Sequence, residues 1–145
     1  MKRLSLFALA MMVAGLISSG PAVSQDVKAL VDQGLVLCEQ GRFDQAIDNF
    51  TQAIKAKPND ASLYTYRGRA KWAKGQNSQA LADYDQAVKI DPNYAWAYHN
   101  RALVYFTTED FQKAMEELRQ AQKLGYKVDP EFVKMVERRA QTKRK

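Results

Sequence analysis

The side chains that could support catalysis are few and widely separated in this sequence. Cys38 is the only cysteine and His99 the only histidine among the 145 residues. A nucleophile and its general base must be in hydrogen-bond contact, whereas these two residues lie in different thirds of the chain. One cysteine and one histidine are also too few for a zinc site or a CxxC redox motif. The sequence therefore predicts neither Cys–His catalysis nor a metal site.

Other catalytic patterns are equally weak. Asp83 and Asp85 are close in sequence, but on a helix they point to different sides, and we expect both on a solvated exterior rather than in general acid–base work. The phosphate-binding motif G-x-x-x-x-G-K-[ST] does not occur. We predict that the protein is not an enzyme and uses no cofactor.

Cys38 has no partner for an internal disulfide bond, since it is the only cysteine. We interpret it as a small, mostly apolar side chain on a helix. A disulfide with another chain stays open as the alternative.

The elements that would position these side chains recur at one fixed interval along the chain. The central unit is defined by Tyr64, Gly68, Ala80, Tyr84, Ala87 and Pro92. The equivalent places one period earlier hold Leu30, Gly34, Ala46, Phe50, Ala53 and Pro58. The equivalent places one period later hold Tyr98, Ala102, Ala114, Leu118, Ala121 and Tyr126. A fixed period as long as the interval from Gly34 to Gly68 indicates stacked structural repeats.

This pattern resembles the tetratricopeptide repeat (TPR), whose signature is an aromatic residue, a small residue four positions later, A-x3-F-x2-A and a proline. The resemblance covers Val27 to Val128. It implies an all-α fold, a right-handed superhelix (α-solenoid) of three antiparallel helix pairs. The predicted repeats are residues 27–60, 61–94 and 95–128, within one domain that spans residues 25–145.

Local signals place the helix ends in each unit. In the central unit, Asp60 is a predicted N-cap, Gly75 a predicted end of the first helix, and Pro92 a stop after the second. Gly68 and its equivalents are small, which would let the paired helices approach closely. The third unit differs, because Glu109 stands where the first two units have a glycine.

The segment after the third repeat is predicted to be a capping helix, residues 129–142. Asp129 can serve as its N-cap and Pro130 as its first residue. Its apolar stripe consists of Phe132, Val133, Val136 and Ala140. A terminal helix of this kind covers the last unit of a repeat stack. We interpret the basic end, Lys143 to Lys145, as a solvated tail, with weak contact to anionic surfaces as the alternative.

The N-terminus has the layout of a secretory signal peptide. A cationic start precedes a nearly continuous apolar run from Leu4 to Ile17, followed by Pro21 and small residues. We predict cleavage after Ser24, which would leave a mature chain from Gln25 and an exported, periplasmic or secreted, protein. A retained membrane anchor is the alternative, although the run is shorter than the roughly 20 residues that a spanning helix needs.

The net charge of +6 does not indicate a nucleic-acid partner. Beyond residue 128 there are six basic and three acidic side chains, so much of the positive charge lies near the C-terminus. A surface that binds polyanions concentrates positive charge on one face. We therefore predict no nucleic-acid binding.

The resemblance implies a concave groove lined by the first helix of each repeat, and such surfaces are the usual place for a ligand. The matching residues here are Val31, Leu35, Thr65, Tyr66, Arg69, Trp72, Trp96, His99, Asn100, Leu103 and Phe106. Some family members hold a C-terminal carboxylate with Lys, Asn and Arg. The places that match this clamp hold Val31, Leu35, Tyr66, Trp96 and Asn100. Because Asn100 alone has suitable chemistry, we predict no carboxylate clamp.

Two functions follow as predictions. The first is a non-catalytic protein–protein interaction module, an exported adaptor that binds an extended peptide or a partner protein in its groove. The alternative is a self-assembling structural component of a cell-envelope complex, in which copies of the chain stack as a homo-oligomer.

Overall fold

The computed structural model describes residues 21–142, and this part of the chain is helical, with no strand. It contains α1 (Pro21–Glu39), α2 (Phe43–Ala56), α3 (Ala61–Ala73), α4 (Asn77–Ile90), α5 (Ala95–Thr107), α6 (Phe111–Lys123) and α7 (Pro130–Thr142). Most of the predicted signal peptide and the tail Lys143 to Lys145 lie outside the described residues. Within them, no helix is both long and apolar enough to cross a membrane.

The helices pack in the order of the sequence. The pairs α1–α2, α3–α4 and α5–α6 have the most extensive contacts, α2 meets α3, α4 meets α5, and α7 lies on α6. The first helices of the pairs also contact one another, α1 with α3 and α3 with α5. This order confirms the predicted helical solenoid of three helix pairs and a capping helix.

Close helix packing in the first two units depends on the absence of a side chain at Gly34 and Gly68. A Cβ atom built on Gly34 would lie 2.6 Å from Cε1 of Phe50, and one on Gly68 would lie 2.6 Å from Cε1 of Tyr84. Both distances are well below van der Waals contact, so the rings occupy the space that a Cβ would need. The equivalent Ala102 is fully buried in the third unit.

The inner turns share one hydrogen-bond pattern. The amide of Gln76 donates to the carbonyl of Lys71 at 3.0 Å, and the amide of Asp110 donates to the carbonyl of Tyr105 at 2.8 Å. This bond closes a Schellman motif, which needs a left-handed residue before the donor. Gly75 supplies it with a φ of 76°, and Glu109 adopts the same conformation with a φ of 59°. The third unit therefore keeps the turn despite its missing glycine, at a cost of roughly 1–2 kcal/mol.

The capping helix closes the C-terminal end of the described stack. Val136 is fully buried and Ala140 nearly so, in one cluster with the buried face of α6. Phe132 and Val133 pack against the same cluster. Oδ1 of Asp129 accepts a hydrogen bond from the amide of Glu131 at 2.9 Å, as expected of an N-cap.

Asp83 departs from the prediction of a solvated carboxylate, which is wrong for this residue. Its side chain is only 6% exposed because it faces α3 rather than water. Nε and Nη2 of Arg67 donate to its two oxygens at 2.9 and 2.7 Å, and Nζ of Lys71 lies 2.8 Å away. Asp85 points to the other side, as expected, with a side chain 62% exposed.

The third unit repeats this arrangement and connects it to the second. Arg101 donates to both oxygens of Glu117 at 2.8 Å and to Oδ1 of Asp85 at 2.6 Å. Arg67 likewise donates to the hydroxyl of Thr51 in the preceding unit at 3.2 Å. Each arginine therefore links the second helix of its own unit to that of the unit before it.

Removing Asp83 should destabilise the protein far more than removing Asp85. Asp83→Ala leaves Arg67 and Lys71 without their buried partner, which should cost about 3–5 kcal/mol of unfolding free energy. Asp85→Ala breaks a pair whose carboxylate is mostly in water, and should cost at most about 1 kcal/mol. Urea denaturation of both variants measures the difference. Equal, small losses would mean that the Asp83 carboxylate is solvated after all.

Candidate functional site

The predicted groove residues all lie on α1, α3 and α5, the helices that contact one another along the inner row. They do not form one continuous exposed surface. Five of them surround the middle of the row and are at least partly exposed: Val31, Leu35, Tyr66, Arg69 and Trp96. These five residues are called the concave surface below.

An aromatic chain forms the base of the concave surface. Tyr66 stacks on the buried ring of Phe50 with centroids 5.7 Å apart, and meets the edge of Trp96 at 5.3 Å. Trp96 in turn meets Tyr94 at 6.1 Å. Tyr66 and Trp96 are both half-buried. Such pairs prefer particular geometries, so these contacts hold the two rings in place without a ligand.

Arg69 lies over this aromatic chain. Its Cζ atom is 5.4 Å from the centroid of the Trp96 ring, and the side chain is exposed. The π-face of an indole attracts a guanidinium group, which explains why the long side chain is held across from α3 to α5.

The α1 side of the concave surface is apolar. Val31, Leu35 and Cys38 are half-buried and pack with Tyr66 against one buried cluster that includes Phe50. Burial raises the pKa of the Cys38 thiol, while the charge of Arg69 opposes that rise. The thiol is therefore protonated at neutral pH and is a poor nucleophile.

Two predicted groove residues are inside the protein rather than on its surface. Thr65 is fully buried, and its hydroxyl donates to the carbonyl of Ala61 at 3.0 Å. Asn100 is 2% exposed, and its Nδ2 donates to the carbonyl of Trp96 at 2.7 Å. Both side chains turn back onto the preceding turn of their own helix, so neither presents its polar group to a ligand.

Trp72 joins the second unit to the third. The half-buried ring packs on the cluster formed by Ala80, Tyr84 and Val104. Its indole N–H is 3.4 Å from the hydroxyl oxygen of Thr107 at the end of α5. This position gives Trp72 a structural role between neighbouring first helices.

The third-unit end of the inner row is covered by the capping segment. His99 stacks on Tyr126 at 4.6 Å and meets Phe132 at 6.5 Å. Phe106 meets the same Phe132 at 5.3 Å. His99 and Phe106 therefore pack against α7 and the segment before it, while Leu103 is half-buried on α5 between them. Phe132 is part of the apolar stripe that predicted the capping helix. Its contact with α5 was not predictable from the sequence, because that contact depends on where α7 docks.

The concave surface is mainly aromatic and apolar. No group of three or more potential metal ligands occurs within residues 21–142. The clamp places are occupied by apolar and aromatic residues apart from Asn100, whose amide is already bonded to Trp96. The surface combines fixed aromatic rings, apolar flanks and one exposed positive charge, and these are groups that hold a ligand.

These features define a helical-repeat scaffold of the kind that binds other proteins. A family model described as "TPR repeat" matches residues 34–75 and 68–109, and a second, "Tetratricopeptide repeat", matches residues 97–124. The first alone spans more than half of the chain, which therefore belongs to the tetratricopeptide repeat family. A comparison with curated proteins found no significant match.

Solved TPR domains have the same fold. The first TPR domain of Spaghetti (RPAP3), bound to the HSP90 peptide SRMEEVD, is 24% identical, with a TM-score of 0.75 and coverage of 84% of this chain and 96% of that one. The Sgt2 TPR domain from Aspergillus fumigatus is 23% identical, with a TM-score of 0.77 and coverage of 86% and 83%. The TPR2B domain of yeast Sti1, in a pHsp70 complex, is 22% identical, with a TM-score of 0.73 and coverage of 82% and 98%.

The stability of the protein should fall in mild acid because of His99. Burial lowers the pKa of its imidazole, and Nδ1 is buried without a hydrogen-bond partner. The unfolded chain then binds a proton more readily than the folded one, so stability decreases as the pH falls below the ordinary value of about 6.5 and levels off below the folded pKa. His99→Phe keeps an aromatic ring against Tyr126 and removes this titration.

Urea denaturation at pH 7.5 and 5.5 tests this prediction. The wild type should lose more unfolding free energy over this interval than His99→Phe, because the variant retains every other titratable group. Identical losses would show that the folded and unfolded chains protonate His99 equally.

Proposed function

We propose that the protein is a non-catalytic interaction module that binds an extended peptide, or an extended segment of a partner protein, on the concave surface. The observation that carries this proposal is the aromatic chain of Tyr66 and Trp96. These rings are ordered by contacts beneath them, yet part of each remains uncovered by the described helices. Exposed, rigid aromatic groups of this kind are enriched at binding hot spots.

The ligands of similar solved structures support the proposal that the ligand here is a peptide. The first TPR domain of Spaghetti is bound to an HSP90 peptide, and the TPR2B domain of Sti1 is in a complex with pHsp70. The side chains at the clamp places differ here, since Val31, Leu35, Tyr66 and Trp96 cannot donate the charged hydrogen bonds that hold a terminal carboxylate. We therefore propose that the ligand binds through an internal segment rather than through its C-terminus.

The affinity should be modest. The open part of the inner row extends over the first two units and the beginning of α5, because α7 covers the rest. This length holds only a short peptide, so the interface is small. We expect a dissociation constant of roughly micromolar, or about −8 kcal/mol.

Removing the Trp96 ring should weaken binding strongly. An array of short random peptides supplies a ligand, and the best binder is titrated by fluorescence anisotropy. Trp96→Ala should lose about thirtyfold in affinity, or roughly 2 kcal/mol, because aromatic anchors dominate such interfaces. Circular dichroism checks that the variant remains folded.

Lys55→Ala is the matched control, since Lys55 is exposed on α2, outside the concave surface. It should bind like the wild type. If Lys55→Ala lost affinity while Trp96→Ala did not, the ligand would lie on the outer side of the stack and the assignment of the concave surface would be wrong.

Self-assembly is a second candidate function, and the N-terminal end of the stack favours it. Val36 is 49% exposed, whereas the equivalent residues of the second and third units, Ala70 and Val104, are 1% and 0% exposed because a preceding unit covers them. Within the described residues nothing covers Val36, while α7 covers the other end. Two copies that meet through their uncovered ends would form a closed pair. Light scattering at micromolar concentrations separates the functions: a monomer favours the peptide-binding module, and a concentration-dependent dimer favours assembly.

Export is part of the proposal and rests on the sequence from Met1 to Ser24. Of the described residues, cleavage after Ser24 would remove only Pro21 to Ser24, the start of α1, and would leave the predicted repeats intact. The intact mass of the protein recovered from the periplasm of an expressing bacterium tests this step. A chain that begins at Gln25 supports export, and a full-length chain in the membrane fraction contradicts it.

A further inference from the structure

We infer that the peptide bound by the concave surface carries an acidic side chain between apolar residues, and that Arg69 binds its carboxylate. This inference rests on the proposed function and specifies the chemistry of the ligand. It concerns an internal Asp or Glu of the ligand, not a terminal carboxylate.

Arg69 is the one charged side chain among the predicted groove residues. The two other arginines of the same helices already have carboxylate partners, Arg67 with Asp83 and Arg101 with Glu117. No ion pair within residues 21–142 includes Arg69. A persistent, exposed positive charge on an otherwise apolar surface favours a ligand with a negative group.

The contact with Trp96 favours one position of Arg69 before the ligand arrives. Its guanidinium lies 5.4 Å above the Trp96 ring, and this contact limits the conformations of a long side chain. A planar guanidinium that uses one face for an aromatic ring keeps its N–H donors along its edges. Those donors match the two oxygens of a carboxylate, so the Trp96 ring holds Arg69 ready for a bidentate contact.

The surroundings of Arg69 define the neighbouring ligand residues. Val31 and Leu35 form an apolar flank on the α1 side, and the Tyr66 and Trp96 rings form the α3 and α5 side. An extended peptide that crosses these helices meets apolar groups before and after it meets Arg69. We therefore assign the ligand a pattern of one acidic residue with apolar or aromatic residues on both sides.

The test uses the array of short random peptides, acetylated at the N-terminus and amidated at the C-terminus, so that side chains supply the only carboxylates. The array is probed with wild type, Arg69→Gln, Arg69→Lys and the control Lys55→Gln. The peptides bound by wild type and by the control should be enriched in Asp or Glu beside apolar residues. Arg69→Gln should keep the apolar preference and lose the acidic one, and Arg69→Lys should retain part of it.

A titration gives the size of the effect. Replacing the acidic residue of the best binder by its amide should weaken binding to wild type on the order of tenfold, as expected for a hydrogen bond to a charged group. The same replacement should leave the affinity for Arg69→Gln unchanged. Added salt should weaken the binding of the acidic peptide more than the binding of its amide form.

The outcomes separate this inference from the proposed function. Apolar peptides without acidic enrichment, bound by wild type but not by Trp96→Ala, would overturn the role of Arg69 and leave the binding module standing. A second array carries the same peptides with free C-termini. Binding to this array alone would also overturn the inference, because the recognised group would then be the terminal carboxylate. If wild type bound no peptide more strongly than Trp96→Ala does, the proposed function itself would be contradicted.

Discussion

The fold depends on the close approach of the two helices in each unit. Gly34 and Gly68 leave room for the rings of Phe50 and Tyr84, which lie where a Cβ atom would be. The rings set the spacing of the α1–α2 and α3–α4 pairs, and the rotation of the first helix within each pair decides which of its flanks faces the partner. The opposite flank of α3 then presents Tyr66 and Arg69 to the inner row. The binding surface is thus a consequence of the packing on the other side of the same helix.

Neighbouring units are joined by a different kind of contact on each side of the stack. Among the second helices, arginines bridge one unit to the next, as Arg101 does between Glu117 and Asp85. Among the first helices, Trp72 packs across from α3 to α5. Buried ion pairs add little net stability compared with apolar packing, so we attribute to the arginines mainly the register between units. A fixed register keeps Arg69 of one unit above Trp96 of the next.

Features that one residue determines locally are predictable from the sequence. The repeat period, the cap at Asp60 and the glycine turns depend on spacing and backbone preference, and the structure has them in place. A side chain's environment is not predictable in this way where another helix determines it. The burial of Asp83 depends on Arg67 and Lys71 of α3. Thr65 and Asn100 are next to exposed positions around their helices. The repeat period alone does not show which of two neighbouring positions faces the surface and which faces the interior. The covering of His99 and Phe106 depends on where α7 docks.

The central claim, that a ligand lies on the concave surface, can be tested directly with the two tryptophans of the chain. Their indole N–H groups give two NMR signals, which Trp72→Phe assigns. Titration with a peptide from the array should shift the Trp96 signal strongly, because its ring is part of the concave surface, and should move the Trp72 signal little, because its ring is packed between units. An unchanged Trp96 signal at saturating peptide would contradict the account.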